Sequence, residues 1–190
     1  MSASVIGLSG SPAPVSRSRA LLELALAALE RQGAGSARLI DLAQLPADGL
    51  LGRRQDPEVA DALHGLLDSG IVVVSTPIYR ATYSGLLKVF FDLLPPDALV
   101  GKVAIPIATG GGPAHLLAVD HGLRPLLASV GALVVANGVY GTDAQFRGGA
   151  PEPALVEKIE RAAREAASLT TVTTTVTTST TLDQPFRTSI

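Results

Sequence analysis

The 190-residue sequence predicts an α/β domain in which a five-stranded parallel sheet is covered by helices on both faces. Two observations support this prediction. Short apolar runs alternate along the chain with longer segments whose apolar residues recur at helical spacing. One of those runs, at 71–75, reads IVVVS and lies between a glycine and a proline. Such a β-branched run is typical of a strand buried on both faces of a parallel sheet.

The first alternation spans 5–26 and contains a loop that is rich in hydroxyl groups. Val5, Ile6 and Leu8 suit a buried strand, and the apolar residues from Leu21 onward have helical spacing. The loop between them combines hydroxyls with one cation: Ser9, Ser11, Ser16, Arg17 and Ser18. Ser16 is the candidate N-cap of the helix. Since free N–H groups and the helix dipole favour an anion there, we predict a phosphate-binding loop at 9–18.

The same alternation continues through the rest of the chain. We predict further strands at 37–42, 71–75, 102–108 and 133–139, and further helices at 57–67, 84–94, 114–130 and 154–169. Pro125 predicts a kink or a local bulge in the fourth helix, because it removes one backbone hydrogen bond. We expect one domain at 1–169. The Thr-rich segment at 170–190 is expected to be a mostly disordered tail or, alternatively, to pack across an oligomer partner.

Composition excludes several classes of function. The net charge of −2 and the pI of about 5.9 leave no basic surface for nucleic acid or for an anionic membrane. There is no Cys, and the three His are too few and too scattered for a zinc site. Neither a signal peptide nor an uninterrupted membrane span is evident. We therefore expect a cytoplasmic protein, without a metal, that acts on a small molecule.

Three loops are expected to meet at one edge of the sheet. In doubly wound sheets, ligands bind beyond the carboxyl ends of the strands, at the topological switch point. In the flavodoxin-like strand order 2-1-3-4-5, the first, third and fourth strands are neighbours. Their loops, at 9–18, 76–84 and 109–115, would therefore lie side by side. One flat ligand with a phosphate group could touch all three, and FMN has that shape.

Each loop supports this interpretation and leaves an alternative open. The first loop lacks the G-x-G-x-x-G pattern of dinucleotide-binding proteins and the Walker pattern, which indicates a monophosphate. The alternative is that the loop is an ordinary Ser-rich turn that caps the helix. The glycines at 110–112 allow backbone N–H groups to approach a ring edge, or they form only a tight turn. The second loop offers backbone, an aromatic ring and hydroxyls, although its Tyr could equally be rim packing: Pro77, Ile78, Tyr79, Tyr83 and Ser84.

Three stretches carry a family resemblance: GSPAPVSRS, STPIYRATYSGLLKVFFDLLP and PIATGGGPAHLLAVDHGLRPLLASVGA. They resemble the NAD(P)H-dependent FMN reductases of the sulfonate-utilisation type, which are the reductase halves of two-component flavin monooxygenase systems. The likeness covers residues 4–145. It implies a flavodoxin-like fold, a homodimer or homotetramer, and hydride transfer from NADPH or NADH to FMN.

The resemblance also implies roles for single residues. His121 stands where the alkanesulfonate-type reductases carry an inserted Tyr linked to a π-bulge at the subunit interface, and the methanesulfonate-type relatives carry His. We expect the bulge to persist, while the substrate of the partner oxygenase stays open. By the same resemblance, the FMN phosphate would be bound by Ser9, Ser11, Ser16, Arg17 and Ser18. The flavin ring would be flanked by Pro77, Ile78, Tyr79 and Arg80. Its pyrimidine side would contact Thr109, Gly110, Gly111 and Gly112.

Hydride transfer requires the protein to position two cofactors, so we expect no acid–base dyad. Asp120 and His121 are neighbours on a helix and point in different directions. Three functions follow in order: a reductase that supplies reduced FMN to a separate monooxygenase, a flavoprotein that keeps FMN and reduces quinones or azo compounds, and a flavodoxin-type electron carrier. The mild charge argues against the carrier. Arg80 does not decide between NADH and NADPH.

Overall fold

The computed structural model describes residues 4–180, with only the backbone described for 171–180. Its strands are β1 (Val5–Ser9), β2 (Ala37–Asp41), β3 (Ile71–Tyr79), β4 (Thr82–Tyr83), β5 (Val103–Gly110), β6 (Leu133–Val134), β7 (Val139–Thr142), β8 (Phe146–Arg147) and β9 (Ala150–Pro151). Its α-helices are α1 (Arg17–Arg31), α2 (Ala47–Leu50), α3 (Pro57–Asp68), α4 (Gly85–Phe91), α5 (Arg124–Ser129) and α6 (Pro153–Thr180).

The central sheet has the order β2-β1-β3-β5-β6, and all of these neighbours are parallel. β7 also pairs in parallel with β5, beyond the point where β6 ends. The predicted order is confirmed, because β5 is the predicted fourth strand, and β6 and β7 together occupy the fifth position. β1 and most of β3 are buried, as their apolar runs predict.

Helices cover both faces of the sheet, and each face has its own apolar core. On one face Leu66 of α3, Phe90 of α4 and Leu127 of α5 pack together. On the other face Leu22 of α1 and Ile159 of α6 belong to the second cluster. The doubly wound, flavodoxin-like arrangement predicted from the sequence is therefore confirmed. None of the helices in the described part of the chain combines the length and apolar character that a membrane span needs.

Two predicted loops begin inside strands. β3 continues through Tyr79, turns at Arg80 and Ala81 with φ values of 50° and 69°, and returns as β4. β5 likewise continues through Gly110, because β7 pairs with its last four residues. The predicted ends of both strands are therefore too early. Cross-strand hydrogen bonds extend these strands, and such pairing leaves little trace in local hydrophobic periodicity.

The prediction of one strand at 133–139 is wrong, because the segment at 135–138 separates β6 from β7. Glu165 of α6 explains the interruption. Its carboxylate accepts hydrogen bonds from the backbone N–H of Ala136 at 2.6 Å and of Asn137 at 3.1 Å, and from Asn137 Nδ2 at 2.6 Å. A side chain thus satisfies backbone donors that a strand partner would otherwise take. Arg124 Nη1 donates to the Val135 carbonyl at 2.8 Å on the same segment.

The predicted helix at 114–130 is three short elements: a 3₁₀ turn at Pro113–Leu116, a π-helical turn at Val119–Leu123, and α5. The local bulge expected near Pro125 is the π-helical turn, which contains His121. Pro125 itself lies in the first turn of α5, where its missing N–H is tolerated. A Cβ at Gly122 would lie 2.9 Å from Thr82 Oγ1, so the π-helical turn packs closely on β4.

Other boundaries also differ from the predictions. The 3₁₀ turn at Leu42–Gln44 and α2 lie between the predicted strand at 37–42 and the predicted helix at 57–67. α4 ends at Phe91, before the predicted end at 94. The β8–β9 hairpin lies between the predicted strand at 133–139 and the predicted helix at 154–169. α6 runs to Thr180, past the predicted end at Leu169, and so enters the Thr-rich segment. Extending a formed helix costs less than nucleating one, which lets it enter the Thr-rich segment. Residues 181–190 of the predicted tail lie outside the described residues.

Candidate active site

A cleft of about 580 Å³ opens at the carboxyl ends of β1, β3 and β5. The three predicted loops meet there, as the strand order requires. Nine predicted site residues line it: Ser11, Ser16, Arg17, Pro77, Ile78, Tyr79, Thr109, Gly110 and Gly111. Five lining residues were not singled out from the sequence: Ala13, Val15, Ala20, Asp143 and Gly149. Asp143 and Gly149 lie between the predicted strand at 133–139 and the predicted helix at 154–169, where no recognisable motif marks them.

Six predicted site residues are not part of the cleft wall. Ser9, Ser18 and Ser84 are buried. Arg80 lies in the exposed turn between β3 and β4, and Tyr83 faces Gly122 of the π-helical turn. Gly112 follows the lining glycines and caps the 3₁₀ turn at 113–116. These residues surround the cleft or support its wall.

The N-terminus of α1 presents backbone donors to the cleft. Ser16 occupies the N-cap position, but its side chain makes no capping hydrogen bond and lies 2.7 Å from Ser18 Oγ. The backbone N–H groups of Arg17, Ser18 and Arg19 have no acceptor within the described chain. A fifteen-residue helix with an uncapped first turn has free donors and a favourable dipole for an anion.

Arg17 lies at the cleft wall between two partners. Its Nη1 is 3.0 Å from Asp143 Oδ1, and its guanidinium carbon is 5.7 Å from the centre of the Phe146 ring. The Arg17 and Asp143 side chains are 48% and 51% exposed. The cation beside the α1 N-terminus is therefore oriented by the protein and remains accessible from the cleft.

Buried hydroxyl groups fix the first loop to its neighbours. Ser84 Oγ donates to the Gly10 carbonyl at 2.5 Å and accepts from the Leu87 N–H at 3.1 Å. Ser75 Oγ donates to the Ser18 carbonyl at 2.7 Å, and the Gly10 N–H donates to the Ser75 carbonyl at 2.8 Å. The Ser84 hydroxyl, which the sequence placed among the ligand-binding groups, thus joins the first loop to α4.

Tyr140 of β7 supports the glycine turn, and sequence analysis missed it. Its hydroxyl donates to the Gly112 carbonyl at 2.6 Å. Burial, together with the charge of Asp143, raises the pKa of Tyr140, which keeps this donor protonated. A Cβ at Gly110 would lie only 2.6 Å from the Tyr140 hydroxyl oxygen, whereas one at Gly111 would meet nothing within 4 Å. Tyr140 therefore packs against one glycine, while the next remains open.

The comparisons with known proteins agree with this geometry. Residues 3–147 match the family model described as NADPH-dependent FMN reductase. The chain belongs to this family. An FMN reductase (NADPH) of Escherichia coli is 42% identical over 141 residues, which are 74% of each chain. The solved structure of an NADH:FMN oxidoreductase in its apo form is 37% identical, with a TM-score of 0.82 over 87% of this chain and 89% of that one.

The family assignment confirms the predicted resemblance and, with it, the enzyme class, an NAD(P)H-dependent FMN oxidoreductase, and its cofactors. A flavodoxin of Streptococcus pneumoniae, 16% identical with a TM-score of 0.60 over 87% of this chain and 97% of that one, shares the fold alone. The two relatives above are named for different nucleotides, NADPH and NADH.

The π-helical turn of this FMN reductase is partly exposed: Asp120 and His121 lie at the surface, whereas Val119 and Leu123 are buried. His121 is exposed, and so are the nearby Leu116 and Leu117, at 52% and 59%.

Within the described residues no group of His, Asp and Glu side chains is arranged to bind a metal ion. The structure therefore offers backbone, hydroxyl and aromatic groups and one cation at the cleft.

Proposed function

We propose that the cleft binds FMN with its phosphate at the N-terminus of α1, and that the enzyme reduces FMN with NADPH or NADH and supplies it to a separate monooxygenase. The observation that carries the proposal is the uncapped α1 terminus beside Arg17, in a cleft lined by all three loops. Free N–H groups, hydroxyls and a guanidinium all donate hydrogen bonds, which the oxygens of a phosphate monoester accept.

The fit to a phosphate rests on donor chemistry. Ser11 and Ser16 contribute hydroxyls, Arg17 contributes a guanidinium, and the first turn of α1 contributes N–H groups. Ser9 and Ser18 are buried, so their part is to shape the loop. Arg17 is the single Lys or Arg side chain among the residues that line the described cleft, which favours a monophosphate over the pyrophosphate of a dinucleotide.

The fit to a flavin ring rests on the second and third loops. Pro77, Ile78 and Tyr79 form an apolar wall, and Thr109 with the open backbone at Gly111 forms a polar one. An isoalloxazine ring has one apolar side and one side that forms hydrogen bonds. The apolar wall of the cleft therefore suits the first side, and the polar wall suits the second. When bound, FMN supplies the hydride-accepting chemistry, and these residues orient it and exclude water. Arg80, Tyr83 and Gly112 border these walls.

Release of reduced FMN is supported by the openness of the ring wall. Tyr79 is 48% exposed, and Val15, on the facing loop, is 90% exposed. A flavin in this open part of the cleft would enter and leave without a large movement of the backbone.

The contact between subunits of a homodimer or homotetramer is proposed at the exposed residues near His121. Leu116 and Leu117 are exposed apolar side chains close to it in the sequence, which suits such a contact.

The test is steady-state oxidation of NADPH and NADH with FMN, FAD or riboflavin as the varied acceptor. We expect FMN to have a lower KM than riboflavin, and Arg17→Ala to abolish most of this difference. Loss of a charge-assisted hydrogen bond predicts a rise in the KM for FMN of about tenfold or more. Arg38→Ala is the matched control, because Arg38 is also an exposed arginine paired with an aspartate, Asp61, but lies outside the cleft.

Three results would contradict parts of the proposal. If Arg17→Ala keeps the full preference for FMN, the phosphate is bound elsewhere. If the protein stays yellow through gel filtration and does not turn over added FMN, it is a flavoprotein that reduces other acceptors. If neither nucleotide is oxidised with any acceptor, the chain acts as an electron carrier. Coupling to a monooxygenase is tested separately, by product formation in a reconstituted mixture.

A further inference from the structure

An acidic residue stands beside the proposed phosphate site, where a phosphate-binding cleft would be expected to carry only donors. Asp143 lines the same cleft as Ser11, Ser16 and Arg17. Its carboxylate binds the guanidinium of Arg17, with Nη1 and Oδ1 3.0 Å apart. A flavin phosphate that approaches Arg17 therefore meets a like charge next to the cation that attracts it.

The position of Asp143 is set by its own segment. It begins the 3₁₀ turn Asp143–Gln145, in which the Thr142 N–H donates to Gln145 Oε1 at 3.0 Å. Gln145 Nε2 in turn donates to Glu152 Oε1 at 2.7 Å, and the Glu152 N–H donates to the Gln145 carbonyl at 2.9 Å. These bonds close the β8–β9 hairpin at its base. None of them uses the Asp143 side chain.

Phe146 fixes the other side of Arg17. Its ring is partly buried against the core on the α1 and α6 face, where a Cβ at Gly141 would lie 3.3 Å from Phe146 Cε2. The guanidinium of Arg17 lies over this ring, with its carbon 5.7 Å from the ring centre, within the range of a cation–π contact. Arg17 is therefore held between a ring that packs on the core and a carboxylate whose backbone segment is fixed by hydrogen bonds.

We infer that Asp143 is a specificity-determining residue, which weakens the hold of this enzyme on the flavin phosphate so that FMN exchanges as a substrate. This inference rests on the proposed phosphate site. Arg17 has five donor N–H groups, so a phosphate can either share the guanidinium with Asp143 or displace it. If the phosphate shares the guanidinium, the Asp143 carboxylate lowers the affinity for FMN through charge repulsion. If the phosphate displaces Asp143, the carboxylate lowers that affinity by competing for Arg17. Riboflavin, which has no phosphate, is unaffected.

The experiment measures the dissociation constants of FMN and riboflavin by flavin fluorescence in the wild type and in Asp143→Asn. For an exposed ion pair, we expect FMN to bind about two- to fivefold more tightly in the variant, with riboflavin unchanged. Asp61→Asn is the matched control, because it removes the same charge from an exposed Arg–Asp pair outside the cleft. Asp143→Ser repeats the test with a second residue suited to this turn.

The outcomes separate this inference from the proposed function. Tighter binding of FMN alone, in both Asp143 variants and not in Asp61→Asn, supports it. An unchanged FMN constant overturns it if Arg17→Ala still abolishes the preference for FMN. An equal gain for riboflavin also overturns it, because the effect is then not at the phosphate. If Arg17→Ala keeps the wild-type preference, the phosphate site is wrong and this inference fails with it.

Discussion

Gly110→Ala tests whether Tyr140 and the glycine turn form one rigid wall of the cleft. The new methyl group would lie 2.6 Å from the Tyr140 hydroxyl oxygen and 3.2 Å from His115 Nδ1, so the hydroxyl must move. That movement breaks its 2.6 Å hydrogen bond to the Gly112 carbonyl.

The expected cost of Gly110→Ala combines three effects. Overpacking costs about 1–3 kcal/mol and a lost hydrogen bond about 1 kcal/mol, while the lower entropy of the unfolded chain with Ala returns about 0.5–1 kcal/mol. The free energy of unfolding should therefore fall by about 1–3 kcal/mol. For a domain of this size, in which 1 kcal/mol shifts the Tm by about 2–4 °C, the Tm should fall by about 2–12 °C. The displaced turn should also weaken FMN binding.

Thermal unfolding of four variants checks this prediction: Gly110→Ala, Tyr140→Phe, the double variant and Gly111→Ala. The double variant should lose less stability than the sum of the single ones, because Phe removes the atom that the methyl group would strike. Gly111→Ala is the control, since a Cβ there has open space, and its Tm should stay near that of the wild type. A wild-type Tm for Gly110→Ala, or strictly additive losses, would refute the reasoning.

Two further predictions concern the groups that fix the loops and the interrupted strand. Ser84→Ala should lower the free energy of unfolding by about 1–3 kcal/mol in urea titrations, because the Gly10 carbonyl and the Leu87 N–H lose a buried partner. Ser129→Ala is the control, because Ser129 is exposed, and it should change the free energy of unfolding by less than about 0.5 kcal/mol. If Ser84→Ala and Ser129→Ala have equal effects, Ser84 does not join the first loop to α4 in the way described. Burial alone would raise the pKa of Glu165, but hydrogen bonds from Asn137 and Ala136 and the charge of Arg124 lower it below 4.5. The carboxylate therefore stabilises the fold above about pH 4.5, and this stability is lost as the pH falls through the lowered pKa. Glu165→Gln should remove this part of the pH dependence of the free energy of unfolding. If the free energies of unfolding of the wild type and of Glu165→Gln change in parallel between pH 3 and 5, the prediction is contradicted.

Sequence patterns predicted the elements that bury the most apolar surface. β1, α1 and the strand beginning at Ile71 carry continuous or periodic apolar residues, and their order along the chain determines which loops share an edge. The place of the cleft follows from that order. Nine of the predicted site residues line it for the same reason, since they lie in the segment from β1 to the first residue of α1, in the last residues of β3, or at the end of β5.

Features that depend on single long-range side chains were not predictable in this way. Glu165 interrupts the fifth strand from a position 28 residues beyond Asn137, and Asp143 reaches Arg17 across 126 residues. Ser84 has the residue type of a ligand-binding hydroxyl, yet its burial directs it to Gly10. Residue type and spacing identify the strands and their loops, but tertiary packing decides which hydroxyls face the ligand.

The position of the FMN phosphate in a crystal structure of this enzyme with FMN tests the central claim most directly. We expect the phosphate to accept hydrogen bonds from the first-turn N–H groups of α1 and to lie beside the guanidinium of Arg17. We also expect the ring to lie between Tyr79 and the backbone at Gly111. A flavin bound in the cleft with its phosphate in solvent, or bound outside the cleft, would contradict it.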